Sequence, residues 1–156
     1  MKKPTSELMP EVARLVREGH TVALPVSGGS MLPFIMNGGE SVELHRLPPV
    51  MRCGDVVLAL TLQGHYVLHR VVHMAPGLIT LEGDGNTAIR EQALPSHVIA
   101  RAEWVADARG RRRSLVSPTA RMKWQLWHRL RPIRRILLKV WKIINGVDSS
   151  PSVPPV

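Results

Sequence analysis

Ser30 follows two glycines in the run Val26-Ser27-Gly28-Gly29-Ser30-Met31-Leu32-Pro33, and His69 and Asp84 come after it in that order. A serine hydroxyl is a weak nucleophile until a neighbouring base takes its proton, so these three residues read as nucleophile, base and orienter of the base. Lysine is the other base used with serine, but there is none between Lys3 and Lys123. Histidine is therefore the better base. Gly28 and Gly29 would let backbone approach a substrate closely and leave amide donors for an oxyanion. Spacing alone also admits a plain turn at Gly28-Gly29-Ser30, and Gly83-Asp84-Gly85-Asn86 is a strong turn signature in its own right.

His65, His69 and His73 share parity and invite a zinc reading. In a strand, residues four apart are separated by about 13 Å, too far for a common ion about 2 Å from each ligand. Tyr66-Val67-Leu68 and Val71-Val72 favour a strand here, so no metal or other cofactor is expected.

The elements that must hold these residues are mostly strands. Short Val, Leu and Ile-rich runs at Thr21–Val26, Ser41–His45, Asp55–Leu60, Tyr66–His73, Leu78–Leu81 and His97–Val105 are separated by Gly, Pro or Asn. Their close spacing, with no helical pattern between them, predicts an antiparallel, mostly β domain of barrel-like character over residues 21–108. Pro10 to Glu18 reads as a short helix within residues 1–20 that packs on this core and ends at Gly19.

With 156 residues and one cysteine, Cys53, the chain has room for one domain and cannot form an internal disulfide. The net charge of +9 is a property of its C-terminal part. Residues 1–108 carry 9 Lys and Arg against 11 Asp and Glu, whereas residues 109–147 carry 12 Lys and Arg and no acid. The charged, glycine-containing stretch 109–118 reads as a linker. Residues 119–146 read as two helical segments broken at Pro132, and the proline-rich 147–156 as a disordered tail. Ile133, Ile136, Leu137, Val140, Trp141 and Ile144 follow helical spacing among arginines and lysines. This basic amphipathic segment suits an anionic membrane surface or a partner helix better than nucleic acid; the plain alternative is that it packs on the β domain. No run approaches the roughly 20 apolar residues of a membrane span.

Five motifs occur together and in register: the Ser30 run, Gly39-Glu40-Ser41-Val42, Gly54-Asp55-Val56-Val57, Val67-Leu68-His69-Arg70-Val71 and Gly83-Asp84-Gly85-Asn86. Together they resemble the superfamily that joins signal peptidase I to the self-cleaving SOS repressors, over about residues 21–105. The resemblance implies a β catalytic core, Ser30 as nucleophile, His69 as general base and Asp84 as its acidic partner. It also implies an oxyanion and substrate-binding set of Gly28, Gly29, Met31 and Pro33. The His-Arg box, where bacterial signal peptidases place lysine, resembles the endoplasmic-reticulum and archaeal enzymes. Three features depart from the pattern: Gly28 stands two residues before the nucleophile where serine is usual, Glu40 replaces an aspartate, and no N-terminal membrane anchor is seen.

The expectation is a serine endopeptidase acting on a leader or precursor peptide through an acyl-enzyme, in the cytoplasm or at the inner face of the cytoplasmic membrane. The alternatives are a self-cleaving regulator and a non-catalytic module that binds membrane or nucleic acid through its basic tail. A helix-turn-helix and an Ala-Gly cleavage pair upstream of Ser30 are both missing, which weighs against the self-cleaving form.

Overall fold

A computed structural model describes residues 5–86 and 88–146. Helix α1 spans Thr5–Arg17 and strands β1 to β5 span Val22–Pro25, Ser41–His45, Val56–Leu60, Tyr66–Ala75 and Leu78–Glu82. Strands β6, β7 and β8 then cover Arg90–Ala93, Val98–Ala106 and Arg112–Ser114, followed by helices α2 (Pro118–Arg129) and α3 (Arg134–Asn145). The expected mostly β chain with an N-terminal helix and C-terminal helices is thus what forms.

All strand pairs are antiparallel, in the order β1-β2-β7-β3-β4-β5-β6, with β8 beside β7. Strand β3, Val56-Val57-Leu58-Ala59-Leu60, explains the continuous apolar run in its sequence, because both of its faces are covered. Val56 and Leu58 enter a core cluster with Met9, Val12 and Val16 of α1, while Val57 and Ala59 enter a second cluster with Val71 and Leu81. Side chains alternate across a strand, so one pentapeptide feeds both cores.

Helix α1 begins well before Pro10, the residue expected at its first turn. Proline costs a single backbone bond there, while Met9, Val12 and Val16 line one face and are buried. The helix ends at Gly19, with φ +91° and its N–H donating to the Val16 carbonyl.

Two strands were not anticipated. β6, Arg90-Glu91-Gln92-Ala93, has no apolar alternation and is formed by pairing with β5. β8 lies inside the stretch expected to be a linker: Arg112–Ser114 pair with Trp104–Ala106, and Arg113 binds Glu40 at 2.6 Å. Arg112 and Arg113 of that charged run are therefore part of the sheet.

Ser117 caps α2, its side chain accepting from the Ala120 N–H, and Pro118 opens the helix. Pro132 sits in a 3-10 turn, Arg131–Ile133, that separates α2 from α3. The tail is fastened to the β domain by Arg121 on Asp55 at 2.8 Å and by buried Trp124, Arg134 and Leu138. The expectation for residues 147–156 lies outside the described residues.

Candidate active site

Ser30 sits on the turn after β1, and His69 sits in β4. The two line one cavity of about 240 Å³, together with Leu24 and Pro25 of β1, Val26, Gly28, Met31 and Tyr66. No hydrogen bond joins Ser30 to His69. The cavity borders β1, an edge strand whose ladder is occupied by β2 on one side only.

The turn carrying Ser30 is held by the Gly83-Asp84-Gly85 segment. The Gly85 N–H donates to the Ser30 carbonyl over 2.8 Å. A Cβ on Gly83 would stand 2.4 Å from the Ser30 carbonyl oxygen, and one on Gly85 would stand 2.6 Å from that of Gly29. Both glycines are therefore demanded by backbone packed on backbone, not by a left-handed turn conformation. This close approach also explains how His69 reaches the site. Arg70 pairs with Glu82 in the β4–β5 ladder, so His69 comes one step further along toward Gly83, which touches Ser30.

The acid beside His69 is Glu91, not Asp84. His69 Nδ1 lies 2.6 Å from Glu91 Oε2, though the ring N–H is turned off that line and neither atom has a hydrogen bond of ordinary geometry. Asp84 was expected in this role, but it binds Arg70, with Nη2–Oδ2 2.6 Å and Nε–Oδ1 2.9 Å, both side chains being almost fully buried. The reason is strand geometry. His69 and Arg70 are consecutive in β4 and point to opposite faces, so the turn that reaches Arg70 cannot also serve His69. Glu91 opposes Leu81, which opposes Val71, and Val71 shares its face with His69; three strands in register thus put acid and imidazole together.

The motifs of the sequence interlock through these contacts. Arg70 of the His-Arg box also donates through Nη1 to the Gly54 carbonyl at 2.7 Å and lies over the rings of Phe34 and Trp124. Asp55 accepts from the Arg52 N–H, and Glu40 accepts from the Met36 N–H. Four of the five motifs thus meet at Arg70, Asp84 and the Ser30 turn, while Glu40 braces the loop that follows Ser30.

Of the expected substrate-binding set, Gly28 lines the Ser30 cavity and Met31 forms part of its wall while reaching into the core. Gly29 contributes backbone, its carbonyl facing Gly85 and also accepting from the Leu32 N–H. Pro33 is a correction: it lies outside this cavity, in an apolar groove against α2 and α3. A cis peptide bond joins Leu32 to Pro33.

The helical tail reaches the same turn from behind. Trp127 Nε1 donates to the Asp84 carbonyl at 3.0 Å, and Arg134 Nη2 donates to Glu82 Oε1 at 2.9 Å. Sequence reasoning missed Glu91, Trp127 and Arg134 as neighbours of the site, since each is placed by register or by helix docking. Among the described residues no cluster of three His, Cys, Asp or Glu side chains could hold a metal ion. Comparison with known proteins gives no matching family model, no matching curated protein and no matching solved structure.

Proposed function

We propose that this chain is a serine endopeptidase of the signal-peptidase-like type, with Ser30 as nucleophile, His69 as general base and Glu91 as the acid that steadies the imidazole. The observation carrying this reading is that Ser30 and His69, far apart in sequence, line one cavity while a carboxylate lies 2.6 Å from the imidazole Nδ1. Nδ1 is the nitrogen near Glu91, so Nε2 is the one to receive the Ser30 proton, with the ring N–H coming into line with the carboxylate as the imidazolium forms.

Ser30 Oγ then bonds to the carbonyl carbon of the scissile peptide, and its proton passes to His69. The C–N bond breaks as His69 returns that proton to the leaving amine. Water, deprotonated by His69, hydrolyses the acyl ester and restores Ser30. Backbone N–H groups of the Gly28-Gly29-Ser30 turn are the donors for the oxyanion. The substrate is an extended peptide, added as a strand beside the edge strand β1, whose Leu24 and Pro25 line the cavity.

The test is acylation by a serine-reactive probe, read as intact mass, in wild type, Ser30→Ala and His69→Ala. Labelling of wild type alone is the expected result. Equal labelling of Ser30→Ala, or no labelling of folded wild type, would overturn the assignment.

A further inference from the structure

We propose that the outward face of α3 docks on a bilayer containing anionic phospholipid and so holds the Ser30 cavity at a membrane surface. Helix α3 is apolar on more of its circumference than the protein uses. Its inward side is anchored by Arg134 and Leu138, both buried. Ile136, Val140, Ile143 and Ile144, at spacings of four, three and one, are left 64%, 48%, 80% and 76% exposed. That spacing places them on one stripe.

Two further observations name the occupant. The first is charge: α3 carries Arg134, Arg135, Lys139 and Lys142 and no acid, with Arg134 spent on Glu82 inside the protein, and Lys139 stands three residues from Ile136 and four from Ile143, on the flank of the stripe. Cations beside a bare aliphatic stripe complement a surface that is anionic at the headgroups and apolar beneath. The exposed side chains of the stripe are aliphatic and offer no rings for base stacking, while Trp124 is buried, Trp127 is engaged with Asp84 and Trp141 is half-buried in the groove beside the stripe, so a nucleic acid fits less well.

The second is continuity. An apolar groove without polar lining, formed by Pro33, Trp127, Leu137, Val140, Trp141 and Ile144, runs from the stripe to the residue three positions after Ser30. No helix of the described residues is long and apolar enough to cross a membrane, so this mode lies along the surface.

The experiment is co-sedimentation of full-length Ser30→Ala protein with vesicles of phosphatidylcholine alone or of phosphatidylcholine and phosphatidylglycerol at about 3:1. The Ser30→Ala background makes binding independent of the peptidase reading. Binding to the anionic vesicles is expected, weakened by salt, and reduced about tenfold by Ile136→Ser with Ile143→Ser. Lys139→Glu with Lys142→Glu should reduce it to a comparable degree at low salt. These side chains are exposed or half-buried, and an unchanged thermal midpoint will show that the variants fold.

No binding to anionic vesicles would overturn the proposal. So would equal binding to both vesicle types, or binding that survives the serine substitutions. Concentration-dependent dimerisation abolished by the same serine pair, without vesicle binding, would assign the stripe to a second copy of the chain. Tight binding to a single-stranded RNA oligonucleotide in place of vesicles would assign the cations to nucleic acid.

Discussion

The Gly85 N–H donates to the carbonyl of Ser30 over 2.8 Å, and the neighbouring Gly83 lies so close that a Cβ there would come within 2.4 Å of the same oxygen. The serine turn is thus moulded on a second turn more than fifty residues later. Gly83→Ala must push the two backbones apart, because neither neighbour is the end of a flexible side chain. The expected cost is about 1–3 kcal/mol of stability. Probe acylation of Ser30 should fall further than in Val16→Ala, a buried core variant in α1 that does not line the Ser30 cavity. Equal losses in both would mean that the glycine serves folding only.

Glu91 and Asp84 should separate cleanly by substitution. Glu91→Gln keeps shape and removes the charge beside His69, so acylation should slow about a hundredfold or more with little change in the unfolding midpoint. Asp84→Asn leaves Arg70 buried without its counter-ion, at a cost of about 3–5 kcal/mol. Midpoint and labelling rate measured together distinguish the two. A reversed pattern would return Asp84 to the imidazole.

Gly54 tests how firmly the helical tail is seated. Its φ is +97°, and an added Cβ would meet the Trp124 ring at 3.0 Å. Gly54→Ala therefore combines backbone strain with a clash against the tail, and should lower stability by about 1–3 kcal/mol. Limited proteolysis should then cut within 117–134 sooner than elsewhere. Unchanged cleavage there would show that Trp124 does not hold the tail down.

His128 gives the fold a pH dependence of known sign. Burial holds its imidazole below the ordinary value of 6.5; nearby Glu82 opposes this, and Arg134, Arg131 and Arg90 add to it. The native state thus takes up the proton at a lower pH than the unfolded chain. Between those two values the unfolded state binds more protons, so stability falls as pH drops below about 6.5 and levels off below the native value. Denaturant midpoints across pH 7.5 to 4.5 should show a smaller fall in His128→Gln than in wild type. Identical slopes would remove His128 as a cause.

Much of the sheet was legible because local patterning and burial agree. Ser41–His45 alternates and is alternately buried, and Val56-Val57-Leu58-Ala59 is apolar because it lies between two cores. β6 and β8 were not legible. Their residues are polar or charged, and what makes them strands is a hydrogen-bonded partner, not a face to bury.

The site divides along the same line. The sequence by itself determined that Ser30 follows a flexible glycine pair, that His69 is carried on a strand, that no lysine falls between Lys3 and Lys123 and that the positive charge is confined to the C-terminal part. These are properties of residue type and short-range order. Only the tertiary structure decided that Asp84 binds Arg70 while Glu91 meets His69, because neighbouring strand residues face opposite ways and the acid comes from a strand two ladders away. It also decided which side of α3 is spent on the core. An amphipathic pattern marks an apolar face without saying what covers it, and here docking through Arg134 and Leu138 leaves the Ile136 to Ile144 stripe in the open.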